Sequence, residues 1–143
     1  MYVFPDKKDR QLCLRPEGTA TCQLMASKVG KDYGLWYETR CWRYERPQAG
    51  RYREFAQFGV EILNPSKDWR DKLIQMATEM VSVATKDFVV AEAVKRGLAY
   101  YSGDGFEISC PKLGAQKQVC GGGKYAEGIG FALGVDRLLL AAE

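Results

Sequence analysis

The sequence predicts an α+β fold in which an antiparallel β-sheet is flanked by helices. Three observations carry that prediction: strand-like segments outnumber helical ones, the two longest strands follow one another across a turn-bearing loop, and helical patterning recurs in separate blocks between strands. The 143 residues, 46% hydrophobic and 27% charged, suit one soluble domain with a modest core. No repeat, low-complexity tract or Pro/Gly/Ser-rich linker divides the chain, so residues 1–143 are read as a single unit.

Taken in order, Gln11 to Arg15 is a short strand, and Pro16 with Gly18 turns the chain into Thr19 to Val29, whose good helix formers suggest a helix. From Leu35 to Trp42 and from Glu54 to Leu63, aromatic and β-branched residues recur at strand spacing. Tyr44 to Arg53, with Pro47 and Gly50, separates them, and the whole reads as a long antiparallel hairpin. Asn64-Pro65-Ser66 ends the second strand. Ser66 is placed to cap a helix whose Trp69, Leu73, Met76, Ala77 and Met80 follow a three-to-four spacing, the pattern of core packing. Leu98 to Tyr101, Gly105 to Cys110 and Gln116 to Cys120 read as strands with glycine-rich turns. Ile129 to Val135 is a last apolar strand leading into a helix over Asp136 to Ala142. The helices are expected on one side of the sheet.

Composition excludes several chemistries. Histidine is absent, which removes Ser-His-Asp and Cys-His nucleophile systems, His-ligated zinc and the usual neutral-pH proton shuttle. The five cysteines form no CxxC pair and cannot all pair within one chain, so free or buried thiols are expected, and no resident metal site. The longest stretch without charge, Gly18 to Ser27, is too short for the roughly 20 apolar residues that span a bilayer. The charged start, MYVFPDKKDR, lacks the apolar core of a secretory signal, and a cytoplasmic location with no membrane contact is expected. Any catalysis must rest on charge and positioning.

The net charge of +3 is unevenly placed: Arg40, Arg43, Arg46, Arg51 and Arg53 face only Glu45 in their segment. Such a cluster is either an anion site, since guanidinium forks match phosphate and carboxylate, or a solvated basic face. Strand alternation would put Arg43 and Glu45 on one side, with Gln57, Gly59 and Glu61 projecting from one face of the return strand, where a ligand lying on the sheet would meet all three. In Leu14-Arg15-Pro16-Glu17-Gly18-Thr19, Glu17 and Thr19 can hold an ammonium group or merely cap the helix. Gly121 to Gly123 and Gly128 to Gly130 allow backbone to approach a ligand, or form a simple turn. Arg137 can reach a phosphate or cover a helix start.

In combination, LRPEGTA, WRYERPQAGRYREFAQFGVEI, RGLAYYSG, GGGKY and GIGFALGVDRLLL resemble, in content and order, the catalytic core of histidyl-tRNA synthetases, class II enzymes. The resemblance covers nearly the whole chain, and its most specific piece is the motif 2 loop ERPQAGRYREF. It implies ATP-dependent activation of histidine to histidyl-adenylate, with transfer to the acceptor end of tRNA(His). By match to the family motifs, Arg43 would hold the α-phosphate and the attacking carboxylate, Glu45 the adenine, Arg51 a further part of ATP, and Arg137 the γ-phosphate. Arg96 would act beside the α-phosphate, where related enzymes use a metal. Glu17, Thr19 and Gln57 match groups around the ammonium and carboxylate of the amino acid, and Glu61, Tyr101 and Tyr125 those around the imidazole. Magnesium would accompany ATP.

The chain departs from the family pattern in places. Ala99 stands where the family's RGLDYY has Asp, Ala126 where GGRYD has Asp, Ala56 where REFHQ has His, and Trp42 where Phe precedes the arginine. The dimer-forming motif 1 and the anticodon-binding domain lie outside the match, and the insertion before RGLDYY is expected to be cut to one or two helices. A homodimer or other self-association is expected from apolar edges. Two other readings stand beside the catalytic one: a non-catalytic histidine- or ATP-binding regulatory paralogue, and an adenylate-forming enzyme with a non-tRNA acceptor.

Overall fold

The computed structural model describes every residue of the chain except Arg96 and Leu98. Its elements run β1 (Val3–Pro5), β2 (Gln11–Cys13), α1 (Thr19–Gln23), β3 (Tyr33–Trp42), β4 (Glu54–Leu63), α2 (Arg70–Ala84), β5 (Val89–Lys95), β6 (Tyr101–Ser109), β7 (Gln118–Tyr125), β8 (Gly128–Gly134) and α3 (Val135–Ala142). Among the described residues, six strands form one antiparallel sheet in the order β3-β4-β8-β7-β6-β5, while β1 and β2 pair separately. The hairpin β3–β4 is present in an unbroken register from Tyr33↔Leu63 to Trp42↔Glu54.

Alternation along the strands divides the sheet into two unlike faces. Phe58, Val60 and Ile62 of β4 share one face with Ile129, Phe131 and Leu133 of β8, and α2 packs there through Leu73, Ile74, Ala77 and Val81, joined by Ala141 of α3. The opposite face carries Gln57, Gly59 and Glu61, and α1 lies over it: the Thr19 hydroxyl donates to Glu61 Oε1 at 2.6 Å. Helices therefore sit on both faces rather than on one. The expected helix Thr19 to Val29 is shorter, α1 followed by a 3-10 turn at Ala26–Lys28, because Asn64 Nδ2 donates to the carbonyls of Ala26 and Val29 and holds them off a longer helix.

Other local expectations shift for identifiable reasons. Ser66 does not cap α2. Its N–H and hydroxyl both donate to Asp32, whose carboxyl is held down to about 2, chiefly by the Ser66 hydroxyl; the acceptor at the helix start is Asp68, bonded to Arg70 N at 2.9 Å. Leu98 lies outside the described residues, and of the strand expected over Leu98 to Tyr101 only Tyr101 is in a strand: Ala99 and Tyr100 form a turn, and β6 runs from Tyr101 through the segment expected from Gly105, with an irregularity in its pairing between Ser102 and Phe106. β1 and β5 lack a strand signal strong enough to single out: β1 is three residues long, and β5 has exposed alanines on an edge. The connection from α2 to β6 thus holds a strand.

Candidate active site

A cavity of about 200 Å³ opens on the α1 face at the end of the sheet where β4 and β7 begin and β8 ends. Its walls carry Glu17, Thr19, Gln57 and Tyr101, and, from the loop between β3 and β4 and the start of α3, Arg43, Glu45, Arg51 and Arg137. Eight of the residues singled out from the sequence are therefore brought together. Tyr52, Phe55, Tyr100, Gln118 and Asp136 join them. Arg96 lies outside the described residues.

The hairpin loop is built to present charge inward. Gln48 and Arg51 exchange backbone hydrogen bonds at 3.1 and 2.9 Å, and Gly50 takes φ +73°, a left-handed conformation that glycine adopts without cost. Arg43 and Glu45 lie beyond the end of β3, so strand alternation does not place them; a backbone bond from Glu45 N to Arg43 O at 3.0 Å and one from Arg43 N to Arg53 O at 2.9 Å do. The Glu45 carboxylate accepts from Arg51 Nε at 2.7 Å, with both side chains about one-third exposed. Arg43 donates through Nε to the Pro16 carbonyl at 2.9 Å and lies over the Phe55 ring.

Arg137 is the most restrained of the three cations. It donates to Gly50 O at 2.6 Å, Gln118 O at 2.8 Å and Gln116 Oε1 at 3.4 Å, linking the loop to the strand floor. Burial lowers its basicity below the ordinary arginine value, and the charges of Arg43 and Arg51 push the same way. The guanidiniums of Arg43 and Arg51 thus place Arg137 in a positive field that an anion relieves. Asp136, beside Arg137, accepts from Ala56 N at 2.7 Å and pins β4 to α3.

The other side of the cavity is acidic. Glu17 accepts from the backbone N–H groups of Thr19 at 2.8 Å and Ala20 at 2.9 Å, so it does cap α1, and the Tyr100 hydroxyl donates to it at 3.1 Å. The capping alternative is thus realised, yet the same carboxylate lines the cavity, and its three donors leave Oε1 one further acceptor position. Tyr100 was missed because sequence reasoning took only the second tyrosine of the pair; Asp136 was missed because its neighbour Arg137 drew the interpretation.

Glu61 and Tyr125 stand apart. Both are buried, at 0% and 1% exposure, and neither lines the cavity. The Tyr125 hydroxyl donates to Glu61 Oε2 at 2.7 Å and Thr19 to Oε1. The expectation that a ligand on the sheet meets Gln57, Gly59 and Glu61 together is corrected: the Tyr37 ring lies on Gly59, where a Cβ would come 2.2 Å from Tyr37 Cζ, and α1 covers Glu61. Burial pushes the Glu61 carboxyl up to about 7, against the two hydroxyl donors that lower it. The glycines of β7 and β8 likewise make room for protein side chains: a Cβ at Gly130 would fall 1.9 Å from Glu61 Oε2, and one at Gly122 would fall 2.6 Å from the Phe106 ring, while Gly121 borders the cavity. Ala99 and Ala126 occupy exposed turn positions outside the cavity wall.

An antiparallel six-stranded sheet bearing an arginine-lined cavity between a hairpin loop and the helix after its last strand has the form of a class II aminoacyl-tRNA synthetase core. The sequence model described as the tRNA synthetase class II core domain (G, H, P, S and T) matches residues 2–136, and the chain belongs to that family. A histidine–tRNA ligase of Archaeoglobus fulgidus is 29% identical, with 96% of this chain and 61% of the relative covered. That alignment runs over 248 positions, over a hundred more than the chain has residues, so the relative carries internal sequence that this chain lacks. Apo histidyl-tRNA synthetase of S. aureus shares the fold with a TM-score of 0.79 at 22% identity, over 99% of this chain and 60% of that one. An ATP phosphoribosyltransferase regulatory subunit/histidyl-tRNA synthetase from Bacillus halodurans reaches a TM-score of 0.82 at 15% identity, over 99% of this chain and 68% of that one. The chain thus spans about 60% of the length of the curated relative it matches. No described helix is long and apolar enough to cross a membrane.

Proposed function

We propose that residues 1–143 act as one minimal catalytic unit that activates histidine with ATP to histidyl-adenylate, with the acceptor end of tRNA(His) as the receiving partner. The observation that carries this reading is one cavity with a capping carboxylate, Glu17, on one side and three converging arginines on the other. A zwitterion meets a carboxylate with its ammonium and leaves its own carboxylate toward the cations, where a triphosphate also belongs.

In this reaction an oxygen of the amino acid carboxylate attacks the α-phosphorus, the bond to the bridging oxygen breaks, and pyrophosphate leaves with the electron pair. No proton moves and no side chain becomes covalent, which suits a chain without histidine. Arg43, tethered between Pro16 O and Phe55, orients both reactants and offsets charge developing on phosphorus. Glu45 and Arg51 form the adenine side and Arg137 the γ-phosphate side, where magnesium brought by ATP would offset phosphate charge. Gln57 and Thr19 serve the amino acid backbone, with Tyr101 at the cavity edge. Glu61 and Tyr125 serve the imidazole once the Thr19 and Tyr125 hydroxyls yield their bonds to Glu61. Arg96, assigned by its motif, acts beside the α-phosphate, and Arg96→Ala lowers activity by roughly 10²-fold, the scale of a lost electrostatic group. The working form is a homodimer in the cytoplasm.

ATP–pyrophosphate exchange with each of the twenty amino acids tests the proposal. Exchange with histidine alone supports it, and exchange with another amino acid reassigns the pocket. A folded protein that binds ATP or histidine without exchange supports instead a regulatory role. The absent carboxylates at Ala99 and Ala126 and the likeness to the Bacillus halodurans protein favour that second reading.

A further inference from the structure

We propose that Cys41 is a positioning residue: with the Gly18 N–H it fixes the Gln57 side-chain amide so that Gln57 offers N–H donors, not its carbonyl, to the ligand. Gln57 lies on the cavity wall and is 9% exposed. Its Oε1 accepts from Gly18 N at 3.2 Å and from Cys41 Sγ at 3.4 Å. A backbone N–H can only donate, so this pair of contacts decides which end of the amide is oxygen. Both lone pairs of Oε1 are then engaged within the protein, and Nε2 is the end left for the cavity. Among the described residues Nε2 has no hydrogen-bond partner, yet it is not sealed from solvent.

The thiol is suited to this task. Cys41 sits on β3 next to the cavity but is itself 0% exposed, and the pairing Cys41↔Phe55 and Thr39↔Gln57 sets it diagonally across from Gln57 on the same sheet face. Burial pushes its ionisation up to about 11, against the nearby arginines, so at neutral pH it stays S–H and remains a donor. A thiolate in the same place would repel Oε1 and favour the flipped amide, which would turn a carbonyl toward the carboxylate of a bound amino acid. The residue never touches the ligand. Its role follows from which group it hands to the one that does.

The inference rests on the amino-acid-binding reading of the cavity, and the test separates the two. KM values for histidine and ATP are measured by pyrophosphate exchange for the wild type, Cys41→Ala, Cys41→Ser, Gln57→Ala and the Cys41→Ala/Gln57→Ala double variant, with melting temperatures taken without ligand. Cys41→Ala is expected to raise the histidine KM about 3- to 10-fold, the range of one hydrogen bond, and to leave the ATP KM within about twofold. Cys41→Ser, which keeps a donor, restores the wild-type KM. In the Gln57→Ala background, Cys41→Ala has no further effect on KM. An equal rise in both KM values, or additive effects in the double variant, overturns the inference. If the wild type activates no amino acid, the functional reading fails while the contact is still read from the melting temperatures: non-additive losses retain Cys41 as the residue that orients Gln57, and additive losses remove it.

Discussion

Glu61 is a carboxylic acid buried without a cation beside it among the described residues, held by two hydroxyls. Desolvation is the largest influence on it, and its carboxyl titrates at about 7 in the fold. In the unfolded chain the same group ionises near the ordinary value of about 4.5. Between those limits the folded state binds the extra proton, so stability falls as pH rises from about 4.5 to 7, by up to about 3 kcal/mol. Glu61→Gln keeps the shape and removes the titration, and Tyr125 can turn its hydroxyl to accept from the new amide. The variant is expected to melt above the wild type at pH 8, with the difference closing towards pH 5; a difference independent of pH would refute the assignment. The same residue shows how far the sequence could be read. Its place on the strand face with Gln57 follows from two-residue spacing, but its burial depends on Tyr37 and α1, which reach it from elsewhere in the chain and leave no local signature.

At the scale of elements, β3 and β4 meet around one aromatic ring. Tyr37 lies where side chains on Gly18 and Gly59 would otherwise stand, within 2.2 Å of a Cβ at either position. The two glycines and the tyrosine therefore form one packing unit that seats α1 on the sheet. Gly59→Ala is expected to cost about 2 kcal/mol, the scale of overpacking, and Tyr37→Leu should recover part of that loss in the double variant. Chemical denaturation of the four proteins checks it, and a fully additive pair would show that the ring is not the obstacle. The hairpin was legible because aromatic and apolar residues mark both its strands, and the arginine loop because its composition is wasteful for a mere turn. The shortened α1 was not: the Asn64 clamp that ends it sits 35 residues away from Val29. Likewise the two glycine stretches suggested a ligand, whereas the space at Gly122, Gly123, Gly128 and Gly130 is taken by Phe106, Tyr101, Tyr125 and Glu61, a fit invisible to spacing rules.

Across the whole molecule, order is unequally distributed. The β1–β2 pair has all six strand residues exposed; the Leu14 N to Tyr2 O bond only extends its own pairing, and it meets the rest of the molecule through the edge contact between Tyr2 and Tyr44 and, just beyond it, the Trp42 N to Arg15 O bond. By contrast α2 sets Leu73, Ala77 and Val81 at 0–1% exposure against the central strands. Amide exchange is expected to be fastest in β1 and β2 and slowest in β4, β7 and β8, since local opening of an exposed hairpin disrupts little burial. Mass-spectrometric exchange reads this directly, and protection of β1–β2 equal to that of β8 would mean the hairpin is docked on something more. Leu73→Ala should lower global stability by about 2–5 kcal/mol in the same protein, measured by denaturant midpoint.

The strand order has a consequence for the newborn chain. β8 comes last in chain order among the eight strands described, yet it fills the slot between β4 and β7. Until the ribosome has delivered it, the early hairpin and the later three-strand meander each carry a raw inner edge with nothing alongside. Both edges invite wrong partners during that interval, and the β4 and β7 parts of the cavity floor are not yet joined. Translation arrested between Tyr125 and Gly128 thus yields two unfinished half-sheets rather than one weakened sheet.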